Sequence, residues 1–273
     1  MPARLMGIVN VTPDSFSDGG EFLDPERAIA HGRALAAEGA DVLDIGGEST
    51  RPGAEGVAAE EELARVAPVV EALAQLRGPA ISIDTSKLAV AESALSLGAA
   101  MVNDVTALRA EPELAALCAE RRCEVVLMHM LGDPRTMQEN PIYEDVVDDI
   151  RAFLAERIEF AVSQGIEEER IWIDPGIGFG KTVEHNLELH RRLGELAELG
   201  RPIAFGSSRK SFIGQLTGAG VDRRLGGTIA SNVIAHGNGA SMLRVHEVAP
   251  MRQAVTVADA ILSPEIAASI ADR

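Results

Sequence analysis

The hydrophobic positions of this chain form eight short apolar runs, separated by longer stretches with helical spacing. The runs are nearly continuous in Ile, Val, Leu, Met and Ala, as expected of parallel strands that are covered on both faces. They predict eight buried strands, which are Leu5–Val11, Asp41–Gly46, Ala80–Asp84, Met101–Val105, Glu124–Met128, Ile171–Asp174, Pro202–Gly206 and Met242–Val245.

The stretches between the runs have the pattern of amphipathic helices. Ala59–Leu76 and Asp145–Gln164 each place apolar residues on one stripe and charged residues off it. Glycines that precede the next strand are predicted helix C-caps, at positions 39, 98, 165, 200 and 239. Eight such units in 273 residues predict a closed (β/α)8 TIM barrel, with one domain over residues 1–273. A doubly wound open sheet is the alternative, because alternation alone does not show closure.

Composition narrows the classes of partner and the cellular compartment. The chain has 42 acidic and 25 basic residues, for a formal net charge of −17, which argues against nucleic acid and anionic membranes as partners. The cysteines Cys118 and Cys123 are too few for a disulfide framework and match no metal-ligand spacing. With no long apolar run and no room for a signal peptide before Leu5, we expect a cytoplasmic protein.

Polar side chains follow the apolar runs at their carboxyl ends. In a barrel all of these loops meet at one mouth, where such enzymes carry their chemistry. Asp84, Asn103 and Asp174 come from the third, fourth and sixth runs, at or near their carboxyl ends. Their oxygens suit a ligand with several N–H donors in one plane, such as the guanidine-like edge of a heterocycle.

Cationic and amide side chains complete the predicted mouth. Lys210 is placed to bond a ring carbonyl or nitrogen, and Asn10 to hold an oxygen-loving cation. No Ser or Cys has a clear His partner, so the pattern indicates positioning and charge stabilisation instead of covalent catalysis. Four further groups are predicted cationic donors to a phosphate or pyrophosphate, namely Arg51, Arg209, Arg244 and His246.

Several of these features have simpler interpretations. The stretch Asp174–Thr182 looks like a phosphate-binding loop, but Pro175 stands where the first required glycine would be. Asp84 on its own could be a helix N-cap. The chain has only three lysines, and all of them fall in the strand-to-helix loops: Lys87, Lys181 and Lys210. This placement indicates ammonium chemistry in those loops.

Taken together, the loops resemble those of the dihydropteroate synthase family of the bacterial folate pathway. The matching strings run in order through nearly the whole chain: Met6–Gly20, Asp44–Ala54, Ile83–Thr85, Asn103–Val105, Met128–Met130, Pro134–Gln138, Asp174–Lys181, Ser208–Ser211 and Arg244–His246.

The resemblance implies a (β/α)8 barrel, usually a homodimer, with Mg²⁺ as cofactor. Its reaction condenses 6-hydroxymethyl-7,8-dihydropterin pyrophosphate with p-aminobenzoate and gives 7,8-dihydropteroate and pyrophosphate. The implied mechanism is SN1-like, because pyrophosphate leaves before the aniline nitrogen attacks. Sulfonamides, which mimic p-aminobenzoate, are expected to compete.

The resemblance also implies roles for individual residues. Asn10 is the expected metal ligand, and the mobile loops correspond to Thr12–Gly20 and Ser49–Gly56. The expected catalytic residues are Asp84, Asp174, Lys210 and Arg244. The expected substrate-binding residues are Thr50, Arg51, Pro52, Asp84, Asn103, Asp174, Phe179, Lys210, Ser211, Arg244 and His246.

A few positions depart from the family pattern, and two other functions stay open. The departures are Leu131 and Asp133 in the fifth loop, Phe205 before the seventh, and Glu247 after Arg-Val-His. None is an expected ligand. The alternatives are a pterin-barrel methyltransferase that donates to a corrinoid, and a paralogue that binds pterin without catalysis. The Ser-Thr-Arg-Pro-Gly and Ser-Arg-Lys-Ser loops argue against the first.

Overall fold

A computed structural model describes residues 3–12, 25–51, 53–133 and 135–262 of the chain. Pro52 and nearly all of the predicted loop Thr12–Gly20 lie outside the described residues. The strands are Arg4–Asn10 (β1), Val42–Gly46 (β2), Ala80–Asp84 (β3), Met101–Asp104 (β4), Glu124–Met128 (β5), Ile171–Asp174 (β6), Ile203–Phe205 (β7) and Ala240–Val245 (β8).

Helices follow each strand, and β7 is followed by two of them. The α-helices of the described residues are Pro25–Ala37 (α1), Ala59–Leu73 (α2), Leu88–Ser96 (α3), Leu114–Arg121 (α4), Val146–Ser163 (α5), Val183–Arg191 (α6), Ser211–Thr217 (α7), Leu225–Gly237 (α8) and Val248–Leu262 (α9). None of the helices described is long and apolar enough to cross a membrane.

The eight strands close into one parallel barrel. Each strand pairs with its neighbour in sequence, and β1 also pairs with β8. The predicted (β/α)8 fold is therefore confirmed, and the open-sheet alternative is wrong. The predicted strands match the observed ones to within two residues at each end. The five predicted C-cap glycines all have positive φ angles, from +69° to +112°.

The interior of the barrel is packed with side chains. Alternate residues of the strands form an inner apolar layer that includes Met6, Met101 and Met242, while the other face packs on the helices. At the amino-terminal end, Glu124 Oε2 accepts hydrogen bonds from Arg4 at 3.0 Å and from Trp172 Nε1 at 2.8 Å. This packing leaves the carboxyl ends of the strands as the place for chemistry.

Strand register brings the predicted polar residues to one level. Asn10 pairs with Gly46, Gly46 with Asp84, and Asp84 with Asn103. The described parts of the long connections from β2 to α2 and from β5 to α5 begin at this level. By contrast, Phe205 is fully buried in the outer shell, 5.0 Å from the His190 ring centroid, so this departure from the family pattern faces away from the mouth.

The turn after β6 depends on a glycine that has no room for a side chain. Gly176 has φ +67°, and a Cβ there would overlap the carbonyl oxygen of His129. Gly200 has a similar φ of +69° but nothing within 4 Å of its Cβ position. Gly200→Ala should cost about 1–2 kcal/mol of unfolding free energy, and Gly176→Ala about 1–3 kcal/mol more.

Chemical denaturation of both variants measures this difference. Because Gly200→Ala carries the cost of positive φ alone, the excess in Gly176→Ala reports the clash with His129. Equal losses in the two variants would show that the turn after β6 relaxes freely.

Candidate active site

Arg244 joins two carboxylates at the mouth of the barrel. Its Nε donates to Asp44 Oδ2 at 2.6 Å, and its Nη2 donates to Asp84 Oδ2 at 2.7 Å. Burial disfavours the guanidinium charge, but the nearby Asp44 and Asp84 carboxylates outweigh it and raise the pKa of Arg244. Arg244 therefore stays a cation that is shared between β2 and β3.

Asn103 is linked to the same group through Asp44. Its Nδ2 donates to Asp44 Oδ2 at 3.0 Å. Asp44 is completely buried and was not among the predicted site residues. It lies inside an apolar strand, between Leu43 and Ile45, whereas the predicted site residues lie at the ends of the strands or in the loops after them. The available signal was an aspartate two residues before the end of a predicted buried strand.

The carboxyl groups at the mouth hold their protons more readily than ordinary aspartates. Burial raises the pKa of Asp84 to about 7; Arg244 opposes this shift and Asp44 adds to it. Burial also raises the pKa of Asp174, although the Gly176 N–H bonded to Oδ1 at 2.7 Å opposes the shift. Asp84 can thus change protonation state near neutral pH, and Asp174 holds its proton more readily than a surface carboxyl does.

Lys210 lies beside an aromatic ring and two carboxyl groups. Its Nζ lies 3.9 Å from the centroid of the Phe179 ring, a cation–π contact. Burial and Arg244 lower the pKa of Lys210 to about 8, while Asp174 and Asp84 oppose the shift. The structure brings the predicted Lys210 and Phe179 together at the position that faces Asp174.

His246 is neutral, which corrects its prediction as a cationic donor. Its Nδ1 lies 2.9 Å from Ser208 Oγ. Burial lowers the pKa of His246 to about 3, and four cations add to the effect: Arg209, Arg244, Arg51 and Lys210. The imidazole can therefore offer a ligand a hydrogen bond but no charge.

Arg209 is held by one of the residues that depart from the family pattern. Its Nε donates to Glu247 Oε1 at 2.8 Å. The cation that we predicted as a phosphate donor is thus engaged by Glu247. Asp133, another departure, accepts from the backbone N–H groups of Arg135 and Thr136 and organises the fifth loop.

The remaining predicted residues that the structure describes lie in the loops around the mouth. Thr50 is half-buried and Arg51 exposed on the loop after β2. Ser211 is exposed at the first position of α7. Pro52 lies outside the described residues.

Lys87 is paired with carboxylates of the protein. The prediction was that the ammonium groups of all three lysines take part in the chemistry of the loops. The Lys87 Nζ bonds Glu48 and Glu62. Glu62 is completely buried, although it belongs to the acidic first turn of α2. This carboxylate therefore faces the interior of the protein and not the solvent.

Lys181 is also engaged by groups of the protein, beside the predicted site residue Phe179. It is buried, with Nζ 2.9 Å from His129 Nδ1 and 2.9 Å from the Phe179 carbonyl oxygen. Burial lowers its pKa well below the ordinary value. Only Lys210 of the three lysines joins the predicted site.

Asn10 is half-buried at the end of β1, level with Gly46 and Asp84. Among the residues described, no three His, Cys, Asp or Glu side chains form a metal-binding cluster. A single amide oxygen still suits Mg²⁺, which keeps several waters and takes its other ligands from substrate phosphates.

The arrangement is a layer of buried acceptors with a rim of polar side chains from the surrounding loops. Asp84, Asp174 and Asn103 can accept N–H donors from a flat ligand, with Lys210 donating at its edge. The rim carries Arg51 and the neutral His246, which suit an anionic group above the ligand. Such a site binds a heterocycle that carries a pyrophosphate.

Comparisons with known proteins agree with this chemistry. The family described as "Pterin binding enzyme" matches residues 6–246. Dihydropteroate synthase of Escherichia coli K12 is 46% identical over 260 residues, covering 95% of this chain and 92% of that protein. A Xanthomonas albilineans dihydropteroate synthase structure with 4-aminobenzoic acid has a TM-score of 0.90 and 49% identity, covering 96% of this chain and 94% of that one.

A Yersinia pestis dihydropteroate synthase structure with a sulfonamide drug complex is also similar. Its TM-score is 0.92 at 44% identity, and the match covers 96% of this chain and 95% of that one. Fold, mouth and family match together define a pterin-binding barrel enzyme. Within that class, the chain belongs to the dihydropteroate synthase family.

The two titrating groups at the mouth predict a bell-shaped pH dependence. Asp84 must be ionised to accept an N–H donor, so kcat/KM should fall as pH drops through about 7. Lys210 must be protonated to donate, so kcat/KM should also fall as pH rises through about 8. Initial rates measured between pH 5.5 and 9.5, about 1.5 units beyond these values on either side, test both limbs.

Lys210→Arg is the matched variant, since an arginine keeps its charge throughout this range. Whatever its absolute rate, the alkaline limb should disappear. An unchanged alkaline limb in Lys210→Arg would assign that limb to another group.

Proposed function

We propose that this chain condenses 6-hydroxymethyl-7,8-dihydropterin pyrophosphate with p-aminobenzoate to give 7,8-dihydropteroate and pyrophosphate. The observation that carries the proposal is the layer of acceptors formed by Asp84, Asn103 and Asp174 beside Lys210. A pterin presents N–H donors along one edge and acceptors along the other, which this layer complements.

The pterin ring is proposed to lie in the mouth, with its donor edge on the carboxylates. Asp84 and Asp174 are buried, so hydrogen bonds to them are strengthened by the low local dielectric. Lys210 donates to the ring from the Phe179 side. The pyrophosphate then extends toward the rim, where Arg51, His246 and the remaining N–H donors of Arg244 bind it.

Bond cleavage is proposed to precede bond formation. The C–O bond of the pterin methylene breaks and its electron pair leaves with pyrophosphate, while positive charge develops on the pterin. Asp84 and Asp174 stabilise that charge because they are fixed beforehand. The aniline nitrogen of p-aminobenzoate then forms the C–N bond and loses a proton.

The p-aminobenzoate pocket is proposed to lie between the second, sixth and seventh loops. Its residues are Thr50, Arg51, Pro52, Phe179, Lys210 and Ser211. The 4-aminobenzoic acid complex of the Xanthomonas albilineans relative supports this ligand class. The sulfonamide complex of the Yersinia pestis relative supports competition by sulfonamides.

Mg²⁺ is proposed as the cofactor, with Asn10 as its ligand from the chain. The half-buried amide at the barrel mouth fits an ion that takes its other oxygens from pyrophosphate and water. When bound, the ion would neutralise charge on the leaving group.

A homodimer in the cytoplasm and a single domain over residues 1–273 belong to the same proposal. Large apolar side chains lie exposed on α8 and α9, among them Ile234 at 54%, Val257 at 56% and Ile261 at 75%. Sedimentation equilibrium at twice the monomer mass would support the dimer, and a monomer at micromolar concentration would contradict it.

The reaction itself is tested with purified protein. With Mg²⁺ present, release of pyrophosphate and formation of dihydropteroate should both require the pterin pyrophosphate and p-aminobenzoate. Omission of either substrate is the control. Absence of dihydropteroate under these conditions would contradict the proposed function.

Lys210→Ala tests the proposed binding layer. Loss of one preorganised group should lower turnover about 100- to 1,000-fold, with the thermal unfolding midpoint near that of the parent protein. Lys210→Arg should recover part of the rate because it restores the charge. A near-normal rate in Lys210→Ala would remove Lys210 from the mechanism.

A further inference from the structure

Asp44 is a fully buried carboxylate that touches two members of the proposed binding layer. Oδ2 accepts from Arg244 Nε at 2.6 Å and from Asn103 Nδ2 at 3.0 Å. Oδ1 is buried and has no hydrogen-bond partner. A carboxylate in this environment is expensive in free energy. This cost is explained if Asp44 is needed to position Arg244 and Asn103, the two groups that it bonds.

The contact with Asn103 determines which end of the amide faces the ligand. A carboxamide carries two donors on nitrogen and an acceptor oxygen, and it can present either end. The carboxylate of Asp44 has acceptor oxygens only, so the amide nitrogen must face Asp44. The amide oxygen of Asn103 then points away from Asp44 and remains available as an acceptor.

The contact with Arg244 fixes a second group. Asp44 and Asp84 bind different nitrogens of one guanidinium, Nε and Nη2. Because the guanidinium is planar and rigid, two such bonds determine its orientation. Asp44 thus sets the position of Arg244 relative to Asp84 without reaching the mouth itself.

We propose that Asp44 is a positioning residue, which makes the pterin site selective for the ligand edge that carries N–H donors. It does so by turning the Asn103 oxygen toward the ligand and by holding Arg244 against Asp84. The inference rests on the proposed function of the site. Asp44 contacts no substrate in this account, and it acts through Asn103 and Arg244.

Exchange of the two side chains tests the contact with Asn103 directly. A carboxylate at position 103 would accept pterin N–H groups as well as the amide does, were it not opposed by Asp44. Asn103→Asp should therefore weaken pterin binding about 10- to 100-fold, because two carboxylates then face each other. Asp44→Asn combined with Asn103→Asp restores one donor and one acceptor, and should regain at least about tenfold.

Isothermal calorimetry with 6-hydroxymethyl-7,8-dihydropterin pyrophosphate, without p-aminobenzoate, measures these affinities. Recovery in the double variant supports the proposal. Pterin affinity of Asn103→Asp equal to that of the parent, or a double variant no tighter than Asn103→Asp, would overturn it.

Asp44→Asn alone tests the contact with Arg244. The KM for the pterin substrate should rise about 10- to 100-fold, whereas the KM for p-aminobenzoate should stay at the parent value. The acid limb of kcat/KM should also move to lower pH, because Asp44 no longer repels charge on Asp84. The charged groups that act on Asp84 are Arg244 on β8, Asp44 on β2, Glu62 on α2, Asp104 on β4 and Lys210 before α7.

Asp259→Asn is the matched control for removal of a buried carboxylate. Asp259 lies on α9, 8% exposed, and accepts from His236 Nε2 at 2.7 Å. This control should keep the parent pterin KM and acid limb. If Asp44→Asn also keeps both, Asp44 is a structural residue and the proposal fails.

The failure of this proposal can be told apart from failure of the proposed function. A parent protein that makes no dihydropteroate contradicts the function. The calorimetric comparison of the same variants still decides whether Asp44 orients Asn103.

Discussion

The bonds from Arg244 to Asp44 and Asp84 are the interaction on which the mouth of this barrel depends. Two buried carboxylates on neighbouring strands repel each other, and the low dielectric of the interior strengthens the repulsion. One guanidinium, 2.6 Å from the first and 2.7 Å from the second, offsets it. The closed barrel brings β8 beside β1, which places Arg244 over both carboxylates. Without closure, these charges would have no common cation.

Much of the fold could be predicted from the sequence, because parallel strands covered on both faces leave a strong signal. The runs ending at Asp84, Met128 and Asp174 coincide with β3, β5 and β6 at both ends. The residues at the carboxyl ends of these strands also lie at the mouth, because all strands of a parallel barrel end at the same face. The residue that the sequence pattern did not predict lies inside a strand and not at its end. Asp44 is hidden in an apolar strand, and its contacts join residues that are 59 and 200 positions away in the chain.

The charges of individual side chains were harder to predict than their positions. His246 is neutral because it is buried among cations, and Glu62 points inward to pair with Lys87. Lys181 is buried against His129. In each case the protonation state and the pairing of the side chain depend on groups from other elements, which residue type and spacing along the chain do not show. The net charge of −17 therefore describes the surface, while the mouth is governed by local compensation.

The crowded carboxylates at the mouth share one cation, but burial outweighs the effect of that cation and makes Asp84 an unusually weak acid. Carbon-13 NMR of aspartate-labelled protein, with the Asp84 signal assigned by its loss in Asp84→Asn, measures this property without reference to turnover. The account predicts that the Asp84 carboxyl titrates near pH 7 in the ligand-free protein. Titration near its ordinary value of 3.8 would contradict the account.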